Sequence, residues 1–227
     1  GGATAGSFAL ACGDSATAGT GANALGYQAQ ANGNYASAVG FTARAPGDNA
    51  SAIGSYARAE GGNSTAIGSA TSATGSDATA IGSATEARGT NATAIGATAQ
   101  ALTTNTTAVG AAALADGTNA TALGGSAQAR GDNSAALGRT ARAIGQSATA
   151  VGALARANAD FTTAVGGDAQ ATGLGATAAG SGAQAAGENA SAFGRGSVAS
   201  QSLSTAFGQN SAAIGTAATA TGGSAQA

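Results

Sequence analysis

Small apolar residues alternate with polar ones along nearly the whole chain, and the alternation is punctuated every seven residues. Counting from Gly19 in steps of seven, glycine fills 27 of the 30 positions up to residue 222; Thr103, Ala159 and Gln201 fill the rest. Two residues before each mark, from Ala24 onward, the residue is almost always Ala, and four before it is nearly always Ala, Ser or Thr. Alternate heptads differ. A-halves read NASAIG (49–54), NATAIG (91–96), NTTAVG (105–110), NATALG (119–124) and SATAVG (147–152). B-halves read QAQANG (28–33), YARAEG (56–61), ATEARG (84–89) and SAQARG (126–131), so the full repeat is fourteen residues.

Strict period two within a heptad predicts a β-strand, and the recurring Gly predicts a corner. Each repeat should therefore hold two strands of about five residues and two corners, with turns stacked ~4.8 Å apart. About sixteen such turns would form a rod of ~75 Å, an all-β parallel β-roll or β-solenoid with two sheets. A heptad coiled coil fails, because the small residues recur at i and i+2 and each Gly would cost a helix about 1 kcal/mol. Collagen fails for want of Gly at every third residue. Disorder fails because Ile, Val and Leu hold one fixed phase.

The phase also assigns faces. Positions two and four before Gly point inward, where small side chains let two sheets approach closely. Positions one and three before Gly point outward. In B-halves these carry Arg44, Arg58, Glu86, Arg88, Arg130, Arg142 and Arg156, a surface that faces water and offers the candidate ligand contacts. Their plainer reading is solubility and edge protection. In A-halves the outward position beside Gly carries Val39, Ile53, Ile67, Ile81, Ile95, Val109, Leu123, Leu137, Val151, Val165, Phe193 and Phe207. A polar, uncharged line that includes Thr65, Thr79 and Thr93 runs beside them.

Full burial of one such aliphatic side chain is worth about 1.5–3 kcal/mol, so the stripe represents about a few tens of kcal/mol as an upper bound. Left bare, it would far exceed the apolar patch usual on a monomer. The A-half sheet is therefore predicted to be the seam of a closed symmetric oligomer. The spacing leaves open whether two or three chains meet.

Composition narrows the function. Charged residues are 8% and aromatics 4%, with net charge −2, no His and one Cys. The balance gives no electrostatic footprint for nucleic acid. No nucleophile–base pair, zinc site or phosphate loop can be assembled, so neither an enzyme nor a cofactor is expected. No apolar run is long enough to enter a bilayer as a helix.

In the copies of NASAIG and NATAIG, in register from about residue 7 to 222, the chain resembles the head repeats of YadA-like trimeric autotransporter adhesins. The resemblance implies a left-handed roll, a homotrimer about one axis, and display on the bacterial cell surface. It implies attachment to host extracellular-matrix proteins or cell-surface receptors, a part in virulence, and often autoaggregation. Residues 1–227 would then be a single adhesin head domain, with neck, stalk and outer-membrane anchor outside this sequence. The family's Val is mostly Thr here, as at Thr65, Thr79 and Thr93, which implies a less apolar seam. An ice-binding solenoid and an inert projecting spacer are the rival readings; the bulky Phe193 and Phe207 argue against a flat ice face.

Irregularities fall at 1–19 and 201–227. FALACG (8–13) is an A-half and DSATAG (14–19) a B-half one residue short. Cys12 then takes the Ile phase, read as a small buried thiol in preference to an interchain disulfide. Near the C-terminus LSTAFG (203–208) is followed at once by the A-like NSAAIG (210–215), so a heptad is read as missing. Ile214 is then expected on the outer sheet. Asn at five before Gly, as at Asn49, Asn63, Asn91, Asn119 and Asn133, predicts left-handed corners or a stacked amide ladder.

Overall fold

In a computed structural model, which describes residues 2–227, all the regular structure is parallel β. Two compact units are present, 1–113 and 114–227. Each contains eight three-residue A-half strands, Leu10–Cys12 through Thr107–Val109 in the first and Thr121–Leu123 through Thr219–Thr221 in the second. Two-residue B-half strands, such as Arg58–Ala59, Glu86–Ala87 and Arg142–Ala143, form the opposite sheet. Within each unit a strand pairs with the strand one turn on, like with like: Thr79↔Thr93, Ala80↔Ala94 and Ile81↔Ile95. This is the expected β-solenoid of fourteen-residue turns.

The strands are shorter than the five residues expected. The reason is the corner: the residue five before each Gly turns into the left-handed region, as at Asn63 (φ 55°) and Asn91 (φ 57°), and leaves the ladder early. Asn tolerates that geometry because its side chain can bond locally. The amides also stack. Asn49 Nδ2 donates to Asn63 Oδ1 at 3.3 Å, and Asn91 Nδ2 to Asn105 Oδ1 at 3.0 Å. Both expectations for this column therefore hold.

The two corners use glycine differently. After an A-half strand the backbone has positive φ, 131° at Gly124, where a Cβ would also lie 2.6 Å from the Gly138 carbonyl oxygen. After a B-half strand φ is ordinary, and the restriction is close approach alone: a Cβ on Gly61 would overlap the Gly75 carbonyl. Thr103, Ala159 and Gln201 all stand at B-half corners, where no positive φ is required. From Gly19 to Gly222, only at such corners does a residue other than Gly stand.

The core between the sheets is alanine. Ala57, Ala59, Ala66, Ala73, Ala80 and Ala94 are fully buried, and so are their counterparts turn after turn. Where the inward residue is polar it is mostly satisfied locally, Ser134 being the exception. Ser64 Oγ donates to the Gly61 carbonyl at 2.7 Å, Thr85 Oγ1 to Gly96 at 2.6 Å, and Thr71 Oγ1 to Gly82. Hydroxyls at such positions can thus replace methyls in this narrow space while keeping a hydrogen-bond partner.

Pro46 interrupts the B-half sheet. In neighbouring turns the residue at its phase donates its N–H to the next turn, as Glu60 does to Ala73 O at 2.8 Å. Proline has no N–H to give. Arg44 is accordingly joined to Gln30 and Arg58 only by isolated bridges, which separates a three-stranded piece of sheet from the strands beginning at Arg58–Ala59.

The ends behave instructively. The shortened N-terminal repeat is real: Thr17 pairs with Gln30, thirteen residues away, where later turns are fourteen apart. No heptad is missing near the C-terminus. Ala212–Ala213 pairs with Val198–Ala199 in the B-half sheet, and Thr219–Thr221 pairs with Thr205–Phe207 in the A-half sheet. An A-like sequence lies on the outer sheet because each crossing takes seven residues whatever their identity. Ile214 is, as expected, outward and exposed.

Candidate functional site

The A-half sheet carries two outward columns. One is aliphatic, in register: Val39↔Ile53, Ile53↔Ile67, Ile67↔Ile81 and Ile95↔Val109 in the first unit. In the second, Leu123↔Leu137, Val151↔Val165 and Phe193↔Phe207 continue the pattern. The other is hydroxylic, with Thr65, Thr79, Thr93 and Thr107 stacked at the same height. Within one chain the aliphatic column stays partly bare: Ile53 is 42% exposed, Ile81 36%, Ile95 37% and Phe207 58%. Val39, Val109, Leu137 and Val151 are half-buried. Each residue is covered above and below by its own column, so about two-thirds of a typical Ile is already out of water. The sequence estimate of the stripe's energy falls in proportion.

Cys12 lies in this column opposite Leu25 and, like Ile53 and Ile81, is exposed on a single chain. It belongs to the first A-half strand, so only one side of it is covered.

The B-half sheet is polar. Arg44, Arg58, Arg88, Arg130 and Arg142 are exposed, while Glu86 and Arg156 are half-buried. Two of the arginines are engaged with carboxylates, Arg58 with Glu60 and Arg88 with Glu86, each at 2.5 Å. Gln100 Nε2 adds a 3.4 Å contact to Glu86. Stacking brings Arg44 beside Arg58, and Arg142 beside Arg156. Arg130 joins neither pair.

A cluster that sequence reasoning missed lies at the corner leading from the A-half to the B-half sheet. Tyr27 stacks on Phe41, with centroids 5.2 Å apart, and Phe41 meets Tyr56 edge-on at 5.4 Å. The signal was available: Tyr27 and Phe41 are one repeat apart in a chain that is 4% aromatic. Beside Tyr56 is a shallow hollow of about 450 Å³, lined by Thr42, Arg44, Tyr56, Arg58 and Ala70.

Among the described residues no group of three or more His, Cys, Asp or Glu converges, and no helix is long and apolar enough to cross a membrane. Stacked fourteen-residue turns, an alanine interior and two unlike outward faces define a repetitive structural β-solenoid whose chemistry is that of surfaces. The YadA head domain repeat, in its two-copy form, matches residues 18–43, 31–57, 59–85, 87–113, 115–141, 143–169, 171–197 and 185–211. The chain belongs to the YadA head repeat family, a family of adhesin-type heads. A search of curated proteins found no match.

Proposed function

We propose that this chain is the head of a trimeric surface adhesin, a single domain made of both units, with the A-half faces of three copies turned toward one axis. The observation that carries the reading is the aliphatic column left partly bare on a single chain, with Ile53, Ile67, Ile81 and Ile95 each more than a third exposed and in unbroken register. A stripe of that kind needs a partner, and the symmetric partner is another copy. Family membership supports three chains, left-handed winding, and display at a bacterial outer surface through an anchor beyond this segment. The B-half sheet then faces outward, where Arg44, Arg58, Glu86, Arg88, Arg130, Arg142 and Arg156 are placed to meet host extracellular-matrix proteins or cell-surface receptors. Many weak contacts repeated along three chains would supply avidity that no single site has.

Two measurements test this. Sedimentation equilibrium of residues 1–227 should give three times the 20.5 kDa chain mass. Surface binding to immobilised collagen, fibronectin and laminin should give saturable signals with at least one. A soluble monomer defeats the assembly, and a trimer that binds none of the three favours a projecting spacer.

A further inference from the structure

The hollow beside Tyr56 has the chemistry of a specific ligand site, unlike the rest of the B-half sheet. Its shape follows from the repeat. Thr42, Tyr56 and Ala70 occupy one corner phase in consecutive turns, and Arg44 and Arg58 follow Thr42 and Tyr56 by two residues, on the same face. The small Ala70 leaves the space next to the Tyr56 ring open. The ring is 55% exposed, and Phe41 braces it from behind, itself stacked on Tyr27.

Two guanidinium groups converge there. Arg44 and Arg58 are ladder neighbours. Like charges directly opposite in a sheet disfavour one another, so the pair gains from an anion placed between them. Glu60 engages Arg58 from one side, while no carboxylate is paired with Arg44 among the described residues. The Arg142–Arg156 pair provides an internal comparison: its neighbours at the corner phase are Thr140 and Leu154, so it has the charge without the aromatic platform.

We propose that this hollow binds an acidic saccharide, with a pyranose face against Tyr56 and a carboxylate or sulfate held by Arg44 and Arg58. A guanidinium fork matches the oxygens of a carboxylate or sulfate. The negative face of the Tyr ring suits the C–H face of a sugar. The proposal deepens the adhesin reading and takes from it only that the B-half sheet faces outward.

The test titrates residues 1–227 with a heparin-derived hexasaccharide by calorimetry, with neutral maltohexaose as the control. Saturable binding of the acidic sugar alone is expected. Arg44→Ala and Tyr56→Ala should each weaken it about tenfold, as for a lost hydrogen bond to a charged group, while Arg156→Ala should change it less than twofold. Ala already stands at the Tyr56 phase in Ala70, so Tyr56→Ala leaves the corner intact. Absence of saturable binding overturns the proposal. So does equal weakening by Arg156→Ala, which would mean diffuse charge, or a changed sedimentation mass for Tyr56→Ala, which would mean that another copy fills the hollow. Trimer mass and matrix-protein binding are read separately, so failure here leaves the adhesin reading standing.

Discussion

Replacing Ile81 and Ile95 by Asp perturbs the proposed seam where its geometry is most regular. The two side chains are register partners and are 36% and 37% exposed on one chain. Full burial of an Ile is worth about 1.5–3 kcal/mol, so the third left for assembly is worth roughly 0.5–1 kcal/mol each. In a trimer six such side chains are lost, about 3–6 kcal/mol in apolar burial. Six carboxylates then crowd one axis, and each costs several kcal/mol more unless it takes up a proton. The expected result at neutral pH is a monomer with unchanged far-ultraviolet circular dichroism, because both residues point away from the alanine core. The pH dependence has a definite sign. Desolvation and like charge raise the Asp pKa in the assembled state above the free value near about 3.9. Assembly should therefore be fully restored below that free value and be lost again as pH rises through the raised one. Should the double Asp variant unfold, Ile81→Thr with Ile95→Thr asks the same question more gently, since Thr221 already occupies this phase. A double variant of wild-type mass at neutral pH would refute the seam.

Other perturbations separate the remaining structural claims. Ala80→Leu forces three extra carbons between the sheets at a fully buried site and should cost about 1–3 kcal/mol. Arg88→Ala removes only an exposed ion pair and should cost under about 1 kcal/mol; equal melting temperatures for these two would reverse the face assignment. Gly124→Ala combines a φ of 131° with a Cβ 2.6 Å from a carbonyl oxygen and should lose about 2–5 kcal/mol by chemical denaturation. Gly62→Ala, which meets nothing within 4 Å, should be neutral; a matching loss there would mean that corner glycines matter only through chain entropy. Asn63→Val places a β-branched residue at φ 55° and breaks the amide stack to Asn49 and Asp77, so it should destabilise more than Asn63→Gly.

Most of this fold could be read from the sequence because a strand leaves little freedom: once Ala80 points inward, Ile81 and Thr79 must point out. The interior column, both outward columns and the left-handed Asn corners all follow from that parity. What parity does not carry is how much of a side chain its own neighbours cover. Ile81 has the same outward phase whether it is bare or flanked at ladder spacing by Ile67 and Ile95, and only the stacked coordinates reduce its exposure to about a third. Letter patterns also misled where they diverged from the count. NSAAIG resembles an A-half, yet its Gly215 stands seven residues after the A-half Gly208, so it lies on the B-half sheet. The Tyr27–Phe41–Tyr56 cluster escaped notice because Tyr56 is fifteen residues beyond Phe41 and so departs from the fourteen-residue column, although its ring reaches back to meet it.

The two halves of the repeat are constrained to different degrees, and this bears on where binding chemistry can arise. An A-half must supply inward alanines, an aliphatic column and a glycine with positive φ. Its outward position beside Gly, from Leu25 to Phe207, accordingly holds only Leu, Val, Ile, Phe and Ala. A B-half must supply only the inward small residues and a corner that accepts Thr103, Ala159 or Gln201 in place of Gly. The same outward position there holds Asn32, Pro46, Glu60, Thr74, Arg88 and Leu102 in successive turns. A solenoid couples each turn mainly to its neighbours, so such changes are absorbed locally and need no compensation along the chain. Six consecutive turns can thus present six different side chains without disturbing the alanine core behind them. In a protein whose interior is nearly invariant, recognition has to be written on the B-half sheet and its corners, and the Tyr56 hollow is where an aromatic platform and a stacked arginine pair fall together.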